Sequence, residues 1–382
     1  MKKAGLITIH RIYNYGSALQ TYATVKSVEK LGCECTVIDY AYPNEFHLKH
    51  APFHLAEKPQ VKLSLGQRLY RKWMNRLIKQ DAETLFATFR NFLQKHLTFT
   101  EPYETLDSIL ENPPAFDIYI TGSDQVWNPK YCGKDLAFLL GFAPSSAIKI
   151  SYAASFGTHQ IQEEYHAFLA EQLSSYDAIS VREASGVGIV KALTGGDATC
   201  VADPTLLLSA EEWNQIASET KFTDKPYILC YILKYSFDPY PYVTQLVSDL
   251  QKKTGYEVLF IGGYPVNALH PHYKVLPHVS PEEFLSLYRD AELVVTSSFH
   301  GTAFALNYSK PFFTVVDNSA TTDDRQLGLI RLLGAEDRAI VKGSAFPSKS
   351  SLAMDYSIVS QRLGKLRAES LDFLKKSLAI VK

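Results

Sequence analysis

A chain of 382 residues, 46% apolar and 21% charged, has the balance of an ordinary globular protein and more length than one hydrophobic core usually supports, so two domains are expected rather than a disordered or membrane-embedded chain. A net charge of -1 offers no electrostatic basis for binding nucleic acid, which depends on basic residues neutralising phosphates. No run approaches the ~20 apolar residues of a membrane span, and the opening MKKAGLITIHRIYNYG reads as a buried strand rather than a signal peptide, which makes a cytoplasmic protein the expectation. The 23 Tyr and 21 Phe are read as core filling before sugar stacking. Cys33, Cys35, Cys132, Cys200 and Cys230 are scattered and lack a CxxC pair, so they read as reduced thiols rather than disulfides or a zinc site. His47, His50 and His54 read as a surface loop, because no carboxylate completes a ligand set; no metal is expected.

In chain order, Ala4 to His10 is an apolar strand, Tyr22 to Leu31 has apolar residues at helical spacing before a Leu-Gly stop, and Cys35 to Tyr40 is the next strand. Strand, loop, helix and strand within about forty residues fit a right-handed crossover unit of a parallel sheet, so the fold class is α/β. A helical insertion is expected over about 41–100, Pro- and His-rich at first and amphipathic from Gly66 to Leu97. Strands then follow at Phe116 to Thr121, Lys149 to Tyr152, Ala178 to Val181 and Thr199 to Ala202. Ser209 caps a helix whose first turn holds Glu211 and Glu212, and a domain boundary is placed near residue 205. Four further strands follow, at Tyr227 to Leu233, Glu257 to Ile261, Leu293 to Thr296 and Phe312 to Val316. They make up a second α/β half over about 206–350, and a closing helical stretch over 351–382 is expected to pack back across both halves. Two such halves imply a cleft between facing sheets.

In open parallel sheets ligands collect at the carboxyl ends of the strands, and the sequence concentrates polar and small residues there. After the first strand come Asn14, Gly16, Ser17 and Gln20. This segment reads either as an anion-binding helix start or as a tight turn capped by Asn14. Gly122, Ser123, Asp124 and Gln125 follow the Phe116 to Thr121 strand, and Asp124 is a candidate proton acceptor or a helix cap. Ser155 follows the next strand. Arg182 ends another, placed either to grip a carboxylate or phosphate through two parallel hydrogen bonds or to pair with Glu183 or Asp203. Ser298, His300 and Gly301 follow Leu293 to Thr296, and His300 there is an acid/base candidate. Lys234, Gly262 and Gly263 also stand just after second-half strands. The basic stretch Arg68 to Lys79 with Trp73 reads as a solvated helix face or as a peripheral membrane contact.

The order of Asn14-Tyr15-Gly16 with Leu19-Gln20, Gly122-Ser123-Asp124-Gln125-Val126-Trp127-Asn128, Ser180-Val181-Arg182-Glu183-Ala184-Ser185, Asp203-Pro204-Thr205-Leu206 and Ser297-Ser298-Phe299-His300-Gly301 resembles the polysaccharide pyruvyl transferase family, to about Phe313. The resemblance implies two Rossmann-like domains facing a central cleft, as in GT-B glycosyltransferases. It implies phosphoenolpyruvate as co-substrate, with no metal or organic cofactor, and a sugar acceptor that is free or lipid-linked at the inner face of the membrane in capsule or exopolysaccharide synthesis. Through it Arg182 is implicated in donor binding and His300 in catalysis, with backbone amides near Gly16 or Gly301 as further anion donors. A nucleotide-sugar glycosyltransferase on the same architecture and a non-catalytic carbohydrate-binding protein are the alternatives.

Overall fold

The first strand, β1 (Lys3–Ile7), is buried from Ala4 onward and lies between β2 (Glu34–Val37) and β3 (Ile118–Thr121), with β4 (Ile148–Ser151) beyond, all parallel in the order β2-β1-β3-β4. These strands read as apolar runs because helices cover both faces of a parallel sheet. β5 (Ser180–Val181) and β6 (Thr199–Cys200) continue the layer, since Ile150 and Ala154 bridge to Ala178 and Val181. The computed structural model describes residues 1–41, 82–234, 237–262, 272–317 and 325–381. Most of the expected insertion, including His47, His50, His54 and the Arg68 to Lys79 stretch, lies outside them, as does Gly263; residues 82–96 are helical.

The second sheet is also wholly parallel. It runs β12-β11-β10-β7-β8-β9, with β7 (Tyr227–Tyr231), β8 (Glu257–Ile261), β9 (Lys274–Leu276), β10 (Leu293–Thr296), β11 (Phe312–Val316) and β12 (Ala339–Val341). Counted from β7, this is the dinucleotide-fold order 3-2-1-4-5-6, whose direction of winding reverses between β7 and β10. In the first sheet the reversal falls between β1 and β3. Loops leaving strands beside a reversal diverge to opposite faces and open a crevice, which is why the polar segments after β1, β3 and β10 become neighbours.

Two expectations are revised. The first helix, α1, spans Tyr15–Lys30 rather than starting at Tyr22. Its leading turns hold Gly16, Ser17 and Thr21, poor markers of a helix by propensity, yet they are buried between the two halves, where small side chains allow close approach. The second sheet has six strands rather than four, because β9 and β12 are three-residue strands at its edges, too short to show alternation.

The halves are joined by specific contacts. Tyr15 stacks on Phe284 of α2 (Pro281–Asp290) with ring centroids 4.3 Å apart, and its hydroxyl donates to the Val279 carbonyl at 2.8 Å. Asn307 donates to the Thr205 and Leu208 carbonyls. The final helix, α4, spans Ser357–Leu378 and buries Val359, Leu363, Leu366, Ser370, Leu374 and Leu378 along one stripe, the pattern of a helix packed on one face. From it Ser370 accepts the Ala202 amide and Arg367 donates to the Leu206 carbonyl, while Lys2 donates to the Leu378 and Ile380 carbonyls at its end.

Candidate active site

The β1–α1 turn meets the other half of the molecule directly. Asn14 caps α1 by accepting the Gly16 amide at 2.8 Å, and Ser17 Oγ donates to Asp124 Oδ2 at 2.8 Å. Gly16 lies flat against His300: a Cβ there would stand 1.9 Å from His300 Nδ1, so any side chain would occupy the volume of the imidazole.

After β3, Gly122 abuts Leu6 and Thr8, Ser123 Oγ donates to Asp203 Oδ2 at 3.0 Å, and Asp124 takes a left-handed φ of 73°. An aspartate tolerates that region when its side chain bonds locally, and Asp124 Oδ1 accepts the Gln125 amide at 2.9 Å.

Asp203, just beyond β6, is the organising anion. It is 2% exposed and accepts from Arg182 Nη1 at 3.1 Å, Ser123 Oγ at 3.0 Å, the Thr205 amide at 3.0 Å and Thr205 Oγ1 at 2.7 Å. Arg182 Nε donates to Glu183 Oε1 at 2.9 Å, its guanidinium lies 4.4 Å from the centroid of the Phe299 ring, and Nη2 is buried without a hydrogen-bond partner. His300 sits in the first turn of α3 (Phe299–Asn307), capped by Ser298; its Nε2 is also buried without a hydrogen-bond partner, 3.6 Å from Asp203 Oδ2. Buried polar atoms are normally satisfied. Two unsatisfied donors or acceptors around one carboxylate, one from each half, mark where a polar ligand would complete the bonding.

Burial alone would raise the Asp203 carboxyl, but the His300 and Arg182 charges and the Thr205 hydroxyl hold it well below the usual carboxylate range. Burial likewise opposes ionisation of Asp124, and Arg182, His300, Ser17 and Arg325 together hold it low. Burial disfavours the Arg182 charge, but Glu183, Asp203 and Asp124 more than compensate and raise it. Carboxylates whose folded pKa is depressed stabilise the protein above their unfolded pKa of ~3.9, and that contribution is lost as pH falls through the folded value. The urea midpoint should therefore be flat above about pH 5 and fall steeply below about pH 4. Asp203→Asn should flatten that fall and destabilise the protein at pH 7 by about 3–5 kcal/mol, the cost of breaking a buried ion pair. An unchanged midpoint in Asp203→Asn would show that the pair contributes nothing net.

Several expectations change. The two-pronged grip foreseen for Arg182 is not open, because Nε and Nη1 are committed to the Glu183 and Asp203 pairings; Nη2 is the nitrogen left for a ligand. Of the backbone amides near Gly16 or Gly301, those of the two glycines themselves bond to the cap side chains of Asn14 and Ser298. Gln20 is fully buried and donates to Thr8, Ile9, Ser17 and Thr21 within the turn. Gln125 accepts from Asn128, Ser155 donates to Glu183, and Lys234 is exposed and paired with Asp238. Asp124 accepts from Ser17 and so ties the loop after β3 to the first turn of α1. Asp203 and Glu183 were not singled out as site residues from the sequence, although Asp203-Pro204 just beyond a strand end was a visible signal for the first. Among the described residues no three His, Cys, Asp or Glu side chains form a group that could hold a metal ion, and no helix is long and apolar enough to cross a membrane.

The sequence profile of the polysaccharide pyruvyl transferase family matches residues 14–319. No curated protein sequence matches the chain. Solved structures that resemble it include a putative UDP-N-acetylglucosamine 2-epimerase from Listeria monocytogenes (14% identity, TM-score 0.51, 98% of this chain and 90% of that one). Others are MnaA from S. aureus with UDP (12%, 0.52, 100% and 98%) and UDP-GlcNAc 2-epimerase from Methanocaldococcus jannaschii (13%, 0.51, 96% and 94%). At these identities the likeness concerns the fold: two Rossmann-like domains about a central cleft, a GT-B-like arrangement.

Proposed function

The chain belongs to the polysaccharide pyruvyl transferase family, and from that premise we propose that it transfers the pyruvyl group of phosphoenolpyruvate to two hydroxyls of a sugar, forming a cyclic ketal. The observation that carries the reading is the pair of unsatisfied buried nitrogens, Arg182 Nη2 and His300 Nε2, on two side chains that both lie beside Asp203 Oδ2 where the halves meet. The donor needs a fixed cation for its anionic groups and a group that moves protons, and these two side chains supply both.

In the scheme, one sugar hydroxyl adds to the central carbon of the enol phosphate while the methylene carbon gains a proton, becoming the methyl group. The second hydroxyl then bonds to the same carbon as the bond to the phosphate oxygen breaks. Its proton leaves with inorganic phosphate, so the two hydroxyl protons account for the methyl hydrogen and the protonated phosphate. Arg182 Nη2 holds a donor oxygen, His300 carries the proton, and Asp203 positions both. Neither a metal nor an organic cofactor enters this scheme. The acceptor would be a sugar of a cell-surface polysaccharide precursor, consistent with a lipid-linked substrate at the inner membrane face.

Calorimetric titration with phosphoenolpyruvate, with nucleotide sugars as competitors, tests the reading. Saturable phosphoenolpyruvate binding that weakens in Arg182→Lys is expected, because the stacked, ion-paired guanidinium cannot be reproduced by an ammonium. Binding of a nucleotide sugar in its place would assign the cleft to glycosyl transfer, and sugar binding without turnover would assign it to recognition alone.

A further inference from the structure

Phe299, the first residue of α3, has no part in the scheme above, yet its ring touches both of the side chains that do. Ser298 caps the helix by accepting the Gly301 amide, while the Ser298 amide donates to Thr296 Oγ1 and the Ser298 carbonyl accepts from Thr302 Oγ1, both at 3.0 Å. These bonds fix the backbone on either side of Phe299, at the end of β10 in the C-terminal half. Arg182 belongs to the N-terminal half, just after β5, and its guanidinium carbon lies over the Phe299 ring, 4.4 Å from the centroid. The His300 imidazole stands at 88° to the same ring with centroids 5.1 Å apart. Phe299 and Arg182 are each 7% exposed, so the contact between them is largely shielded from water.

The in-plane bonds of Arg182 leave it one freedom. Nε donates to Glu183 Oε1 and Nη1 to Asp203 Oδ2, one bond to each of two carboxylates. Two fixed points still let a flat guanidinium tilt about the line that joins them, and a tilt swings Nη2, the nitrogen with no hydrogen-bond partner, out of place. An aromatic face attracts a cation through its ring quadrupole, most strongly where water is excluded, and a planar guanidinium also stacks on it. We infer that Phe299 is a positioning residue of the donor site: its ring, supplied by the opposite half, holds the Arg182 guanidinium against tilt and so aims Nη2 at the donor. Because His300 follows Phe299 in the chain and packs on the same ring, the two unsatisfied nitrogens are held in register with each other. The donor grip is therefore built from both halves, with the carboxylates of one and the aromatic ring of the other. The inference rests on the reading of Arg182 Nη2 as the nitrogen that holds phosphoenolpyruvate.

The test is calorimetric titration with phosphoenolpyruvate of the full chain carrying mono-, di- or trifluorophenylalanine at position 299, with wild type and Phe299→Leu alongside. Fluorine withdraws electrons from the ring face with little change of shape, so the series varies the attraction for a cation while leaving the packing in place. The dissociation constant should rise with each added fluorine, by about 2- to 30-fold over the series, the range of a cation–π contact converted to affinity. Circular dichroism should stay at wild type throughout. Phe299→Leu, which fills much of the volume without an aromatic face, should weaken binding at least as much. Equal affinities in wild type, the fluorinated proteins and Phe299→Leu would overturn this inference and leave the donor assignment standing. Weaker binding in Phe299→Leu with no trend along the fluorine series would also overturn it, since the ring would then act only as apolar packing. Absence of phosphoenolpyruvate binding to the wild type would overturn the donor assignment and this inference with it.

Discussion

Replacing His300 by glutamine should lower turnover by about 10²- to 10⁴-fold, the usual range for a lost general acid–base group, while leaving the fold and phosphoenolpyruvate affinity near wild type. The imidazole is wedged between Gly16 and its own helix, edge-on to Phe299 with ring centroids 5.1 Å apart. Glutamine fills a similar volume in the first turn of α3, so the junction should close normally. What glutamine lacks is the capacity to take up and release a proton, which the addition step and the ketal closure both need. The measurement is phosphate release from phosphoenolpyruvate in the presence of a sugar acceptor, with circular dichroism and donor titration as controls. Turnover within a few-fold of wild type would remove His300 from the chemistry and leave it as an interdomain packing residue.

The second large effect is expected from a single methyl group. Gly16→Ala places a Cβ 1.9 Å from His300 Nδ1, a separation no side chain tolerates, so the imidazole must rotate away or the halves must part. Gly16 is the second residue of α1, where alanine would on its own be better than glycine by up to about 1 kcal/mol. The local backbone preference and the cross-domain contact therefore pull in opposite directions, and the contact should win. Turnover should fall at least about 100-fold, and Gly16→Ala/His300→Gln should be no worse than His300→Gln alone, because both changes act through one group. Near-normal turnover in Gly16→Ala would mean that the β1–α1 turn and His300 do not meet in the working enzyme, and additive losses would mean that Gly16 acts through something other than the imidazole.

The reach of the sequence differed between these residues for physical reasons. The strand ends were legible because a parallel sheet demands apolar runs, and the runs break where polar residues begin; β3, β8, β10 and β11 could be placed this way from the order of residues alone. A helix start at Asn14 was legible as one of two readings of that segment, but the apolar period began only at Tyr22, because Tyr15 to Thr21 are covered by burial between the two halves rather than along one apolar stripe. For the same reason Gly16 could be read only as a glycine that permits close approach, without its partner. Arg182 was read with two outcomes open, an ion pair with Glu183 or Asp203 and an anion grip, and the structure shows both pairings formed with one nitrogen left over. The choice depended on where Asp203 would fall, and that depends on the strand crossing between β5 and β6.

The α/β class, the family and the order of the polar segments follow from local periodicity and from motifs contiguous along the chain. Which of those segments meet does not. The contact of Gly16 with His300 and the convergence of Ser123 and Arg182 on Asp203 join residues from separate strand ends. Their proximity is set by the two winding reversals and by the angle at which the halves close, a property of packing over the whole chain that no local stretch of sequence encodes.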